Sequence, residues 1–308
     1  KRVLNMEASG IRKVFDLGAK IKDGVDLSIG RPHFDVPMPI KNEAIRAINS
    51  GSNSYSPIAG LMPLRQKIAQ KFKSKNGIRA KSEEIIVTSG TSGGIFLAMA
   101  TLLNPGDEVI LFDPYFVSYL QLAVFLGAVP KIVDTYPDFK IDSEKLEKAV
   151  TKKTKAIIIN SPSNPTGAII SSNEIKQVVK VAQKYGLTII SDEVYEDFLY
   201  DGIECLSPGA IYPQTVTLSG FSKNIAATGW RVGYLHAPES LVDQMTKLQT
   251  FTFVCAPSPF QEAINNAFGY TESLLNISKY EAKRDFVYNG LKDIFDVVKP
   301  QGAFYIFP

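Results

Sequence analysis

Short apolar runs alternate with longer amphipathic stretches along the 308 residues, and this alternation constrains the fold more than any other feature. The apolar runs are rich in Val, Ile and Leu, as is typical of strands buried on both faces. The predicted strands are Glu84–Thr88, Glu108–Phe112, Val129–Asp134, Lys155–Asn160, Leu187–Asp192, Thr215–Ser219 and Arg231–His236. The predicted helices between and before them include Pro63–Asn76, Gly94–Leu103, Ser143–Val150 and Asn173–Tyr185. The pattern predicts an α/β fold, with a mostly parallel seven-stranded sheet and helices on both faces.

The pattern changes after Pro238, where helical periodicity replaces the alternation. Two further helices are predicted at Phe260–Phe268 and Leu274–Phe295, followed by a closing strand at Phe304–Phe307. We therefore expect a domain boundary near Leu241. A chain of this length with 45% hydrophobic residues can bury one large core or two domains.

Composition excludes several classes of function. The net charge is only +3, from 34 basic and 31 acidic residues, and no dense basic run exists beyond Lys152–Lys155, so we expect no nucleic-acid partner. The two cysteines, Cys205 and Cys255, are too few for a disulfide framework, and we find neither a hydrophobic leader nor an 18-residue apolar span. A cytoplasmic protein without a membrane partner is expected. His33 and His236 are the only histidines, which argues against a His-rich metal site.

Lys223 is the main candidate for chemistry. It follows a predicted strand and precedes Arg231 by eight residues. A lysine that forms a Schiff base must lose its proton, and burial or a nearby cation lowers its pKa. Arg231 could supply that cation while it binds a phosphate. A lone lysine is more often a surface residue, but the residues around Lys223 favour a nucleophile.

Other polar candidates also follow predicted strands. Asp192 lies at the carboxyl end of a strand, where open α/β sheets bind ligands, and Tyr195 comes three residues later. Taken alone, Asp192 could equally be a helix N-cap. Asn164 lies in a stiff turn rich in Pro and Gly, and the stretch Ser89–Gly94 predicts a helix N-terminus able to bind a phosphate. The sequence contains neither a dinucleotide fingerprint nor a P-loop.

The stretch from Gly220 to Gly233 resembles the pyridoxal-phosphate attachment site of class I and II aminotransferases, and the resemblance extends over roughly Leu27 to Pro308. It implies a fold-type I enzyme that moves an amino group from an amino acid to a 2-oxo acid by a ping-pong route. Lys223 would hold pyridoxal phosphate as a Schiff base and act as the general acid and base. The resemblance also implies a large domain and a small α/β domain. The large domain would span 42–240, and the small one would combine 1–41 with 241–308.

The resemblance assigns roles to further residues of this chain. Asp192 would face the pyridine nitrogen, Tyr195 and Asn164 the phenolic oxygen, and Phe116 would stack on the ring. The residues expected at the phosphate are Gly90, Thr91, Ser92, Arg231 and, from a neighbouring subunit, Tyr55. Ser222 is also expected to bind the cofactor. Gly30 and Asn164 would contact the substrate. A shared site of this kind implies a homodimer.

The chain departs from the family in two places. Arg31 and His33 occupy positions that are more usually acidic. The arginine that binds the substrate carboxylate in the family lies beyond the Gly302–Tyr305 segment, whereas Arg284 belongs to a charged stretch that predicts a solvent-exposed helix face. We therefore expect the natural polypeptide to be longer by ~50–100 residues.

Two alternatives remain open from the sequence. A C–S lyase or an aminocyclopropane-carboxylate synthase of the same fold would use the same lysine, aspartate, tyrosine and arginine. A non-enzymatic regulator would need a DNA-binding segment, and no helix-turn-helix pattern precedes Leu27.

Overall fold

The computed structural model describes residues 2–7, 10, 14, 17, 18, 21, 27, 30–273 and 275–308. Within these residues seven strands form one sheet. The strands are β1 (Ile85–Ser89), β2 (Glu108–Asp113), β3 (Val129–Asp134), β4 (Thr154–Asn160), β5 (Thr188–Asp192), β6 (Thr215–Gly220) and β7 (Val232–His236). Their spatial order is β1-β7-β6-β5-β4-β2-β3. Strand β7 runs antiparallel to β1 and β6, and the other neighbours are parallel.

Helices flank the sheet. They are α1 (Met38–Asn49), α2 (Met62–Lys71), α3 (Gly90–Leu102), α4 (Val117–Leu126), α5 (Ser143–Ala149), α6 (Ser172–Tyr185), α7 (Glu239–Thr250), α8 (Ser258–Asn266), α9 (Tyr270–Ser273) and α10 (Ile277–Leu291). Local sequence sets several ends. Ser171 and Glu174 form a capping box at the start of α6, and Gly186 ends it in the left-handed conformation with φ of 64°.

The two faces of the sheet have separate cores. Ala156 and Ile158 of β4 pack with α3, α4 and α7 on what we call the front face. Ile157 and Ile159 alternate with them and pack with α5 and α6 on the rear face. Near β1 and β7, helices α1, α2 and α8 cover the rear face. The α/β fold predicted from the sequence is confirmed.

Two local expectations are wrong. Phe304–Phe307 forms no strand, and within the described residues an isolated bridge pairs Leu199 with Gly302, just before this segment. Arg284 is buried instead of solvent-exposed, because its guanidinium donates to both carboxylate oxygens of Asp201 at 2.9 and 2.8 Å and to Pro300 O at 2.6 Å. An ion pair with a tertiary partner overrides the charged appearance of the local sequence.

The division into two domains stays a prediction. Val242 and Met245 of α7 belong to the front core, so this helix packs with the sheet even though it follows the expected boundary. Much of the predicted N-terminal part of the small domain, including residues 8, 9, 11–13, 22–26, 28 and 29, lies outside the described residues. Among the helices that the structure describes, none is long and apolar enough to cross a membrane.

Candidate active site

Three neighbouring strands bring polar residues to one edge of the sheet. Asn160 ends β4 and pairs in register with Asp192, which ends β5. Strand β6 ends at Gly220, and Lys223 follows three residues later. Because these strands are parallel, their carboxyl ends lie at the same edge, and the side chains converge above it.

Lys223 lies in a partly closed environment. Its Nζ donates to Gly30 O at 3.2 Å and lies 5.6 Å from the centre of the Tyr195 ring and 5.8 Å from that of Phe304. Burial lowers the pKa of Lys223, Asp192 opposes that shift, and Arg231 adds to it. The net lowering increases the fraction of free amine, which is the nucleophilic form.

Asp192 is 4% exposed and is held by two donors. The Tyr119 hydroxyl donates to Oδ2 at 2.7 Å, and the Val194 amide donates to Oδ1 at 3.2 Å. Burial raises the pKa of Asp192 above its ordinary value, although both hydrogen bonds and Lys223 act in the opposite direction. A carboxylate in this setting is stabilised when a cationic partner faces it.

The N-terminus of α3 and Arg231 form an anion-binding corner. Gly90 begins the helix, and its amide donates to Arg231 O at 3.0 Å. Arg231 has a left-handed backbone with φ of 54°, and its Nη1 donates to Thr228 O at 2.9 Å. A Cβ at Gly90 would lie 2.7 Å from Arg231 Cζ, so only glycine leaves this space open. The first-turn amides of a helix lack intrahelical acceptors and favour an anion here.

Tyr195 and Phe116 complete the cleft. The Tyr195 hydroxyl hydrogen-bonds to that of Tyr305 at 2.6 Å. Burial and Tyr305 raise the pKa of Tyr195 well above its ordinary value, whereas the Asn164 side chain lowers it. The Phe116 ring packs edge-on against Tyr119 with centroids 5.6 Å apart.

Most of the predicted site residues line one cavity of about 290 Å³. They are Gly30, Thr91, Ser92, Phe116, Asn164, Asp192, Tyr195, Ser222, Lys223 and Arg231. Gly90 lies behind this lining, in contact with Arg231. Tyr55 is 84% exposed and lines a different surface with Phe253 and Val254.

The cavity also contains residues to which the sequence analysis gave no role. Tyr119 lies about one helical turn after Phe116 and therefore faces the same side, so helical periodicity could have indicated it. Asn160 ends a predicted strand, and its Nδ2 donates to Asp192 O at 2.9 Å. Tyr305 reaches the cavity only through long-range packing, so no local pattern indicates it.

The fold and the cleft together define a class of protein. A lysine with a lowered pKa, a buried carboxylate and a helix N-terminus beside an arginine fit an enzyme that holds a phosphate-bearing aldehyde cofactor on a doubly covered α/β sheet.

Comparison with known proteins identifies the family. The model of aminotransferase class I and II matches residues 22–308, so the chain belongs to this family of pyridoxal-phosphate-dependent aminotransferases. A probable aspartate aminotransferase of Methanocaldococcus jannaschii is 40% identical over 100% of this chain and 83% of its own. An aromatic-amino-acid aminotransferase 2 of Thermococcus litoralis is 40% identical over 100% of this chain and 82% of its own. The structure of a single mutant of the Thermus thermophilus aspartate aminotransferase superimposes with a TM-score of 0.93 at 36% identity, covering 99% of this chain and 83% of that one.

Proposed function

We propose that this aminotransferase holds pyridoxal phosphate as a Schiff base on Lys223 and transfers the amino group of an amino acid to a 2-oxo acid in this cleft. The observation that carries the proposal is the convergence of Lys223, Asp192 and the N-terminus of α3 on one cavity. The glycine at position 90 supports the fit, because a side chain there would collide with the Arg231 guanidinium that is expected at the phosphate.

Bound pyridoxal phosphate supplies an electron sink for the carbanion that forms at the substrate Cα. Asp192 would hold the proton on the ring nitrogen, because a cation facing its buried carboxylate stabilises the ionised form. Lys223, once free of the cofactor, would remove the proton from the substrate Cα and return a proton to the cofactor side. The lowered pKa of its amine suits this base role near neutral pH.

The other lining residues would bind and orient. Thr91, Ser92, Ser222 and Arg231 would surround the phosphate at the first turn of α3. Tyr195 and Asn164 would bind the phenolic oxygen, and Phe116 would lie against the ring. Gly30 and Asn164 are the proposed substrate contacts. Arg284 donates to Asp201 and Pro300, so its guanidinium is already occupied by these partners. That a different arginine binds the substrate carboxylate stays a prediction.

We further propose a homodimer with a shared site. Tyr55 lies away from the cleft of its own chain, and its neighbourhood exposes apolar surface that includes Phe253 and Val254. A symmetric partner would cover this surface and receive Tyr55 at its phosphate. The free thiols of Cys205 and Cys255 are compatible with the proposed cytoplasmic location.

The substrate pair is open between acidic and aromatic amino acids, since the relatives are named for both kinds. A panel of amino acids, each mixed with the purified enzyme, tests the proposal through loss of the visible absorbance of the lysine-bound cofactor. An aminotransferase converts a matching donor to its 2-oxo acid and recovers the absorbance when a 2-oxo acid is added. Release of pyruvate from a cysteine conjugate without that recovery would instead indicate the lyase alternative.

A further inference from the structure

A second cavity, of about 310 Å³, lies behind the candidate active site on the rear face of the sheet. Ser191, Glu193 and Glu196 line it, whereas Asp192 and Tyr195 line the front cavity. Residues at the end of β5 and in the turn that follows are therefore divided between the two cavities, and Val194 also lines the front one. The segment of residues 191–196 thus separates the rear cavity from the candidate active site and forms the back wall of that site.

A buried polar network, here called the rear cluster, joins this wall to neighbouring elements. Its members are Lys71, Asn76, Ser191, Glu193, Glu196, Ser207, Ser219 and Tyr234. The Lys71 ammonium pairs with Glu196 Oε1 and donates to the Tyr234 hydroxyl at 2.8 Å. Both side chains of the ion pair are almost fully buried, at 2% and 6% exposure. A buried pair of this kind is rigid because breaking it leaves a charge without a partner.

Ser219 connects the ion pair to the strand that leads to Lys223. The Ser219 hydroxyl donates to Glu196 Oε1 at 2.7 Å. Ser219 lies on β6 four residues before Lys223, and Glu196 directly follows Tyr195. On the front side, Thr91 Oγ1 donates to Ser219 O at 3.3 Å, so the same residue also contacts the first turn of α3.

A matching hydroxyl binds the other carboxylate of the cluster. Ser207 donates to Glu193 Oε1 at 2.7 Å, the same distance as that from Ser219 to Glu196. Ser207 lies in the connection between β5 and β6, outside every strand of the sheet. The two serines thus donate to a buried carboxyl group over the same distance. Ser219, however, lies four residues before Lys223, whereas Ser207 is separated from both Asp192 and Lys223 by at least 15 residues of chain.

We propose that the Lys71–Glu196 ion pair acts through Ser219 to position the active site. It fixes the end of β5, which carries Asp192, relative to the end of β6, which leads to Lys223, and it fixes both ends relative to the anion-binding corner. This inference rests on the proposed roles of Lys223 and Asp192. The hydrogen bond to a buried carboxylate resists separation of β5 from β6 where the main-chain ladder ends, at the pair of Asp192 and Leu218. Loosening this junction lets water reach Lys223 and weakens the fit to the cofactor.

The test compares Ser219→Ala with Ser207→Ala in the full-length chain. Each variant loses one hydroxyl donor to a buried carboxyl group and leaves the Lys71–Glu196 pair intact. The two are compared at about pH 8, where Glu193 and Glu196 are both ionised, so both should fold with a similar fall in thermal midpoint. We expect Ser219→Ala alone to raise the dissociation constant of pyridoxal phosphate about tenfold, the size of effect expected from one hydrogen bond to a charged group. After removal of the cofactor, the pH profile of Lys223 reductive methylation should move to higher pH in this variant only.

Equal effects of the two variants on cofactor affinity and on the Lys223 profile would overturn the positioning role and leave a purely structural network. A wild-type chain that binds pyridoxal phosphate at another lysine would overturn the proposed function instead. The two failures are distinguishable because the methylation profile of Lys223 is measured without cofactor and compares the serine variants directly.

Discussion

Lys223 and Asp192 occupy a cleft in which burial favours the neutral form of each. Burial lowers the pKa of the amine and raises that of the carboxyl, while the attraction between the two groups limits both shifts. The lysine can therefore act as a nucleophile, and the carboxylate responds strongly to a facing cation. The chemistry proposed for the site depends on this balance more than on any single contact.

Replacing Lys223 with alanine should abolish covalent attachment of the cofactor. Borohydride treatment of the wild-type enzyme should fix the cofactor to the peptide that contains Lys223, as detected by mass spectrometry. Lys247→Ala is the matched control, since Lys247 lies on α7, outside the cleft, and its ammonium donates to the side chain of Gln244 at 3.1 Å. A label that persists in Lys223→Ala would remove Lys223 from its assigned role.

Asp192→Asn should retain the cofactor but slow removal of the substrate Cα proton. The neutral amide no longer favours a protonated ring nitrogen, and we expect a loss of at least about 100-fold, equivalent to about 2.7 kcal/mol of barrier. Exchange of Cα deuterium into water measures this step. Tyr119→Phe removes one hydrogen bond from Asp192 Oδ2 and should give a smaller loss. Wild-type exchange in Asp192→Asn would contradict the assignment.

The junction between α3 and the strands β6 and β7 shows how elements create the site. Gly233 of β7 lies against the backbone of Gly90 and Thr91, and Gly220 of β6 lies against the Thr91 side chain. These glycines let the helix N-terminus approach the sheet closely. The anion-binding corner therefore depends on small residues that do not themselves line the cavity.

Gly233→Ala tests this close approach. Its Cβ would lie 2.9 Å from Gly90 O, and the backbone there cannot move aside as a side chain could, so α3 must shift. We expect a loss of about 1–3 kcal/mol of stability and weaker cofactor binding. Gly229→Ala is the control, because no other part of the described structure lies within 4 Å of a Cβ there. Calorimetry measures the stability and a titration measures the cofactor affinity. Equal values for the two variants would show that the close approach of α3 to β7 is unimportant.

The site residues at the strand ends could be predicted from the sequence because the local pattern of apolar residues shows where each strand ends. Asp192 and Asn164 follow apolar runs, and the rule that ligands bind at carboxyl ends places them together. The contacts of Tyr305 and Arg284 could not be predicted, since their partners Tyr195 and Asp201 are 110 and 83 residues away along the chain. The predicted strand at Phe304–Phe307 failed for a related reason. Tertiary contacts hold this apolar run, and no strand in the described part of the chain pairs with it along its length.

At the level of the whole molecule, buried charge links stability to pH. Burial and the neighbouring Glu196 raise the pKa of Glu193 to about 7, and Ser207, Ser191 and Asn76 only partly oppose the shift. The folded protein therefore holds a proton on Glu193 that the unfolded chain releases near its ordinary pKa of 4.5. The contribution of Glu193 to the free energy of unfolding is therefore fully present below that value and is lost as the pH rises to about 7.

Glu193→Gln should remove this pH dependence. At pH 5 glutamine mimics the protonated carboxyl, so the free energy of unfolding should be close to that of the wild type. At pH 8 the variant should be more stable by about 3 kcal/mol. Denaturant unfolding at the two pH values measures the difference. Parallel curves at both values would show that Glu193 ionises normally in the folded protein.

Subunit exchange tests the proposed shared site. Tyr55→Phe and Lys223→Ala impair different parts of one composite cleft, so a hybrid dimer would contain one cleft with both residues intact. After exchange in equal amounts, half of the dimers are hybrids, and one of the two clefts in each hybrid is intact. The mixture should therefore recover up to about a quarter of the wild-type activity per cleft, as expected for an isologous dimer. Lack of recovery, despite exchange proven by native mass spectrometry, would contradict the cross-subunit role of Tyr55.

The segment at the end of β5 lines both the front and the rear cavity, and this has a consequence for mutational tolerance. Every residue from Thr188 to Glu196 is buried, whereas in β3 only Val133 is. A saturation scan of an edge strand such as β3 should accept polar substitutions at most positions. The same scan across residues 191–196 should find no tolerant position, because a substitution that leaves the front cavity unchanged disrupts the rear cluster that supports it. Any redesign of substrate preference through this segment would then have to change both cavities together.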